Sequence, residues 1–161
     1  MNADLQDCGD SSLFLPLQQA VTRLLAASPW LAGTEIMEER PGTVLTEILR
    51  ASEGLKRCVV VFPPVVKKYN NNIGGAELFI EDLEIRIEAS EHPRLNEGEL
   101  NVYALNERIP LVLLSTQVQV AGATVNPFYA DANPVQPVRH PERRIYHHVF
   151  HTSCGLSLKG T

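Results

Sequence analysis

The residues best equipped for chemistry lie toward the C-terminal end, where His140, His147, His148, His151 and Cys154 crowd together. Neutral imidazole and thiolate are ligands for zinc and other soft metals. Their spacing argues against such a site. On a strand, His147 and His151 share a face but stand roughly 13 Å apart at ~3.3 Å per residue. Adjacent His147 and His148 then point to opposite faces. On a helix, His147 and His151 become an i, i+4 pair, so the reading depends on the strand assignment. The spacing predicts surface or interface histidines and no metal ligand set.

The acids Glu81, Asp82, Glu84 and Glu88 contain pairs that acid–base or glycoside chemistry could use. Asp82, Glu84 and Glu88 fall on the polar side of an alternating strand, with Arg86 interleaved, which predicts a solvated face. Ile73-Gly74-Gly75 lacks the spacing of a phosphate-binding loop and joins two strands. Ser153-Cys154-Gly155 lacks the GxSxG elbow. No catalytic, cofactor-binding or metal-binding residue is nominated, and no cofactor is implied.

The elements that must position these residues follow from periodicity. Leu17, Ala20, Val21, Leu24 and Leu25 trace one helix face, with Pro16 in its first turn and Pro29 beyond its end. A short strand, Thr34 to Glu39, ends at Pro41-Gly42, and Thr43 is placed to cap a helix through Ser52. Lys56 to Tyr69 is the densest β-branched run, suited to a strand covered on both faces and split at Pro63-Pro64. Asn70 to Gly75 reads as a hairpin tip. In the returning strand Leu83, Ile85, Ile87 and Ala89 share one side, whereas Ala76, Leu78 and Ile80 have the opposite parity. The phase therefore slips at Glu81-Asp82, as a β-bulge makes it do.

Further on, Val102, Leu105, Ile109 and Val112 restore helical spacing, with Pro110 expected to end or kink the helix near Arg108. Thr116 to Val120 alternates as a strand, with Gln117 and Gln119 outward. Asn126 to Pro141, with its four prolines, reads as an irregular excursion, and Ile145 to Cys154 as a closing strand. The expected fold is α+β: a largely antiparallel β-sheet with a long bulged hairpin and two to three helices packed on one face. Residues 1–12 are expected to be a flexible segment and 13–161 a single domain.

Composition narrows the function. The 161 residues are 44% apolar and 20% charged, ordinary for one domain with its own core. Lys and Arg number 14 against 19 Asp and Glu, a formal charge of -5, which disfavours direct nucleic-acid binding. The three cysteines show no CxxC spacing, and a reduced compartment is expected. The acidic start lacks the basic region of a secretory signal, and no apolar run approaches a membrane span. Phe128 and Tyr129 stand in the Pro-rich segment as aromatic anchors for a neighbour or for the chain's own core. The basic group Arg139, His140, Arg143 and Arg144 is complementary to the acidic hairpin of a second copy.

The order of a first helix (Leu17 to Ala27), a short strand and turn (Thr34 to Gly42), a long hairpin (Cys58 to Ala89), a later helix (Leu100 to Arg108) and closing strands resembles the tail-terminator and neck proteins of tailed bacteriophages. Leu83-Glu-Ile-Arg-Ile-Glu-Ala89 followed by Glu91-His-Pro-Arg-Leu-Asn96 is similar to the strand-to-helix passage of such prophage proteins. The resemblance covers residues 13 to 156 as a pattern of elements. It implies a non-enzymatic subunit of a ring, typically a hexamer, that ends tail-tube growth and joins the tube to the head connector. Its partners are then copies of itself, the tail tube protein and connector proteins, and its place is the virion, assembled in the host cytoplasm. Asn126 to Pro141 is longer than a compact version of the fold needs, which suits an interface particular to this chain. Candidate interface residues are Asn70, Asn71, Asn72, Phe128, Tyr129, Arg139, Arg143 and Arg144. The alternatives are a head–tail adaptor or tube-associated subunit and, from another class, a small metal- or ligand-binding domain using the histidine cluster.

Overall fold

The computed structural model describes residues 13–39, 53–70, 77–97, 100–131 and 134–157. Helix α1, Phe14–Ala27, buries the face the periodicity outlines: Leu17, Val21 and Leu25 are fully covered. Gln18 is buried beside them, and its amide donates to the carbonyl oxygens of Val61, at 2.9 Å, and Glu39. A buried amide placed this way ties the helix to the sheet because leaving its donors unmatched costs more than the bonds add. Ser28 ends the helix and its hydroxyl accepts from Trp30 N at 3.3 Å, starting a 3-10 turn, Pro29–Leu31. The helix expected at Thr43 to Ser52, the residues 1–12 and the hairpin tip at 71–76 lie outside the described residues.

Seven strands form one sheet: β1 (Glu35–Glu38), β2 (Arg57–Val61), β3 (Val65–Tyr69), β4 (Glu77–Glu91), β5 (Ala123–Val125), β6 (Val135–Val138) and β7 (Arg144–Ser157). The order is β1-β2-β4-β7-β5, with β3 also on β4 and β6 also on β7. Only the β1–β2 pairing is parallel among the described strands. β2 is buried at all five positions, as its apolar run requires, and the strand breaks at Phe62-Pro63-Pro64 before resuming as β3. β2 and β3 both pair with β4, completing the long hairpin, and Asn70 N donates to Phe79 O at 3.0 Å at its far end.

The bulge is where alternation breaks. Ile80 pairs with Cys154 and Leu83 with Thr152, so β4 spends three steps against two on β7. The extra residue lets Ile80 and Leu83 both face the core despite their opposite parity. Leu83, Ile85, Ile87 and Ala89 join Val59, Val61, Phe150 and the buried faces of the helices in a single core cluster. Both described helices therefore cover the same side of an α+β sheet. Among the described residues no helix is long and apolar enough to cross a membrane.

Two expectations need correction, and of the two outcomes expected at Pro110 the helix does not end there. Helix α2 runs Val102–Leu114, with Asn101 Oδ1 accepting from Ala104 N at 3.0 Å as its cap and Pro110 inside it. Ile109, Val112 and Leu113, on both sides of the proline, are buried, and that packing outweighs the lost backbone bond. Thr116 to Val120 is not a strand. Val120 makes only a bridge to Ala123 across a turn containing Gly122 at φ 76, and the strand is β5 beyond it. The Pro-rich segment is not wholly irregular either, since β6 pairs with β7 from Val135↔His148 to Val138↔Ile145. Pro137 is tolerated because β6 is bonded along one side only, so the missing N–H breaks no second ladder.

Candidate functional site

Alternation along β7 separates the histidines. His148 faces the helices and is fully buried, its ring stacked on Phe150 at 6.2 Å and 7°. Its Nε2 lies 2.8 Å from Asn106 Oδ1 of α2, and its Nδ1 is buried without a partner. Burial pushes its pKa down to about 4, so the imidazole is neutral at pH 7 and Nε2–H donates to the Asn106 oxygen. His147, on the opposite face, meets Glu88 Oε2 at 2.8 Å. His140 Nδ1 accepts from the backbone N–H groups of Glu142 and Arg143, at 3.1 and 3.0 Å. The Cys154 thiol is buried, which raises its pKa to about 11. These groups thus lie in different places, and His148 and His151 are buried rather than the surface histidines expected, because β7 is covered along its length.

His151 is the most elaborated of them. Nδ1 is 2.7 Å from Asp82 Oδ1, which the bulge delivers. Nε2 is 2.9 Å from Asp131 Oδ2, within ion-pair range but out of line for a hydrogen bond. Tyr129 stacks on the ring at 5.5 Å and 23°, and its backbone exchanges hydrogen bonds of 2.9 and 2.8 Å with that of His151. The two aspartates approach opposite ring nitrogens, so the three groups share no common point. Among the described residues no group of three or more His, Cys, Asp or Glu is placed to hold a metal ion.

The acidic residues are accounted for in the same way. Glu84 lies between Lys67, at 3.7 Å, and Arg86, at 3.6 Å, while Glu81 pairs with Lys68 at 3.1 Å. Ser153 lies within the closing strand, and its hydroxyl accepts from Asn126 Nδ2 at 2.6 Å. Ile73-Gly74-Gly75 lies outside the described residues.

The basic group does converge. Arg139, His140, Arg143 and Arg144 line a groove of about 520 Å³, with Tyr103 of α2 and Tyr146 of β7 among its walls. The Arg144 guanidinium sits 5.8 Å from the centre of the Tyr103 ring and 3.3 Å from the buried carboxylate of Glu91. Tyr103 and Tyr146 meet edge to face at 6.0 Å. Glu91 is held in turn by Asn96 Nδ2 at 2.9 Å, and Asn96 Oδ1 accepts from Arg57 at 3.1 Å. Arg139 is exposed.

Arg143 and Phe128 are placed differently from a surface interface. Arg143 is 6% exposed; its guanidinium donates to Leu55 O at 2.8 Å and Ser90 Oγ at 2.9 Å, and its Nε is buried without a partner. Phe128 is 4% exposed and belongs to the core cluster, so the loop folds back over its own core there. Tyr129, its neighbour, is 48% exposed. Asn70 is half-buried at the hairpin stem, while Asn71 and Asn72 lie outside the described residues. Sequence reasoning missed Tyr103 and Tyr146 as groove walls, because they are brought together only by α2 packing on β7. It also missed a cleft lined by Leu24, Trp30 and Leu111, where Trp30 is 54% and Leu111 55% exposed.

No family model and no curated protein matches this sequence. Among solved structures, a chain from the virion of a native gene transfer agent particle is similar to it, with a TM-score of 0.62 at 17% identity. The match covers 87% of this chain and 95% of that one, so the two share nearly their whole fold.

Proposed function

We propose that this chain is a structural subunit of a phage-type virion, forming a ring at the joint where the tail tube ends and the head connector begins. The observation that carries this reading is the fold shared with a gene transfer agent virion chain over 87% of the present sequence. The element order supports the same reading: a first helix, a bulged hairpin, a second helix and a closing strand follow one another in the chain. The histidines support a scaffold role, each tied to an intramolecular partner.

In this reading the ring is a hexamer that touches the tail tube protein on one side and connector proteins on the other. Tyr129, Arg139, Arg144 and the hairpin end near Asn70 are the contact positions. A head–tail adaptor would use the same fold, and tail length distinguishes the two: a terminator sets it and an adaptor does not. Light scattering on the purified chain, followed by imaging of the oligomer, tests the ring. A closed six-membered particle supports it, and a chain that remains single in the presence of tail tubes contradicts it.

A further inference from the structure

Two patches of opposite character stand on opposite faces of the sheet. The first is the basic groove. Residues of β7 paired with the core-facing positions of β4, Arg144 with Glu91 and Tyr146 with Ala89, share the helix side, where Tyr103 completes the wall. Arg144 is matched by Glu91, but Arg143 has only neutral partners among the described residues, the Leu55 carbonyl, the Ser90 hydroxyl and the Cys58 thiol. A guanidinium keeps its charge at any ordinary pH. The Arg143 guanidinium is buried against Ser90 and Cys58, on the side of the sheet away from the helices, so the positive charge the groove offers a partner is that of exposed Arg139.

The second patch is an acidic knob. His151 pairs with Glu84, on the side of β4 away from the helices, and Tyr129 stacks on it there. Asp131 is 69% exposed, and Glu81 and Asp82 stand nearby at the bulge. Burial and then the charges of Asp82, Asp131 and Glu81 raise the Tyr129 pKa. The tyrosine is exposed yet fixed by its stack and by two backbone hydrogen bonds, so little freedom is lost when it is covered.

We infer that the Tyr129–Asp131 knob of one copy docks into the Tyr103–Arg139–Arg144 groove of a second copy, with the Asp131 carboxylate meeting the Arg139 guanidinium. The knob cannot enter its own groove. It is bonded to His151, some five to seven residues along β7 from the groove, roughly 20 Å at ~3.3 Å per residue, and it faces the other way. Charge complementarity between two different patches of one chain gives a head-to-tail contact, the kind that closes a ring or extends a filament. An aromatic anchor entering a walled groove is the arrangement in which a few residues carry most of an interface's energy.

This inference rests on the ring reading but specifies which faces meet. The test is a charge swap, followed by light scattering on the full chain. Asp131→Arg and Arg139→Glu, both at exposed positions, are each expected to abolish the oligomer while circular dichroism stays that of the wild type. Mixing the two variants, or combining both changes in one chain, is expected to restore it. Oligomers unchanged in either single variant, or no recovery in the mixture, overturn the docking. If the variants assemble like the wild type, the ring stands and its faces lie elsewhere. A wild type that stays single at every concentration overturns the docking, and tail length then judges the ring reading separately. Binding of inorganic phosphate or a short DNA at Arg139 in preference to a second copy also overturns it.

Discussion

Gly33 and Arg57 compete for the same space: a Cβ built on Gly33 lies 2.7 Å from Arg57 Nη2. Gly33 also sits at φ 78, where a side chain is strained. The guanidinium cannot retreat cheaply, because it donates to Thr34 Oγ1 at 2.9 Å, Asn96 Oδ1 at 3.1 Å and Ala32 O at 3.2 Å. Through Asn96 and Glu91 the same network reaches Arg144 at the groove.

Gly33→Ala is therefore expected to destabilise the fold by about 2–3 kcal/mol, combining backbone strain with a displaced buried guanidinium. Urea unfolding checks this. A loss under about 0.5 kcal/mol, the range of an ordinary surface change, would mean the network yields freely.

His148 predicts an acid-sensitive core. Its folded pKa is depressed to about 4 from 6.5, so below pH 6.5 the unfolded chain takes up a proton that the folded chain refuses. Stability from this residue is full above pH 6.5, is lost as pH falls toward 4, and changes no further below that. The loss is on the order of 3 kcal/mol at 1.36 kcal/mol per pKa unit. His148→Gln, which keeps a donor for Asn106, should flatten the stability profile over this window. A profile identical to the wild type would show that His148 titrates freely.

Pro110 costs helix α2 a backbone bond that burial of its neighbours offsets. Pro110→Ala is expected to raise stability by about 1–3 kcal/mol, seen as a higher urea midpoint at unchanged slope. A decrease would show that the ring itself contributes packing.

Phe150 lies at the centre of the sheet, 1% exposed and stacked on His148. Phe150→Ala is expected to cost about 3–5 kcal/mol, as a large side chain removed from a packed core. Ile145, near the groove end of the same strand, tests position: Ile145→Val should cost no more than about 1.5 kcal/mol.

The hairpin and its bulge were legible because alternation is a local signal: Leu78 and Ile80 against Leu83 and Ile85 reveal the slip without any knowledge of partners. Helix α1 was legible for the same reason. The proline alone could not show whether α2 ends or runs on, because the burial that carries the helix past Pro110 comes from packing on the sheet. β6 was hidden by prolines that only an edge position tolerates, and that edge is defined by β7. Phe128 and Tyr129 are adjacent, yet one enters the core and the other stays outside, a difference set by the bridge to His151. The groove was half legible: its arginines cluster in sequence, whereas Tyr103 reaches them only through the fold.

The most direct test of the account is to image the particles made by a host strain in which this gene is deleted. A ring that ends the tail tube predicts headless tubes of uncontrolled length, corrected by restoring the wild-type chain. Tails of normal, uniform length attached to heads would contradict it.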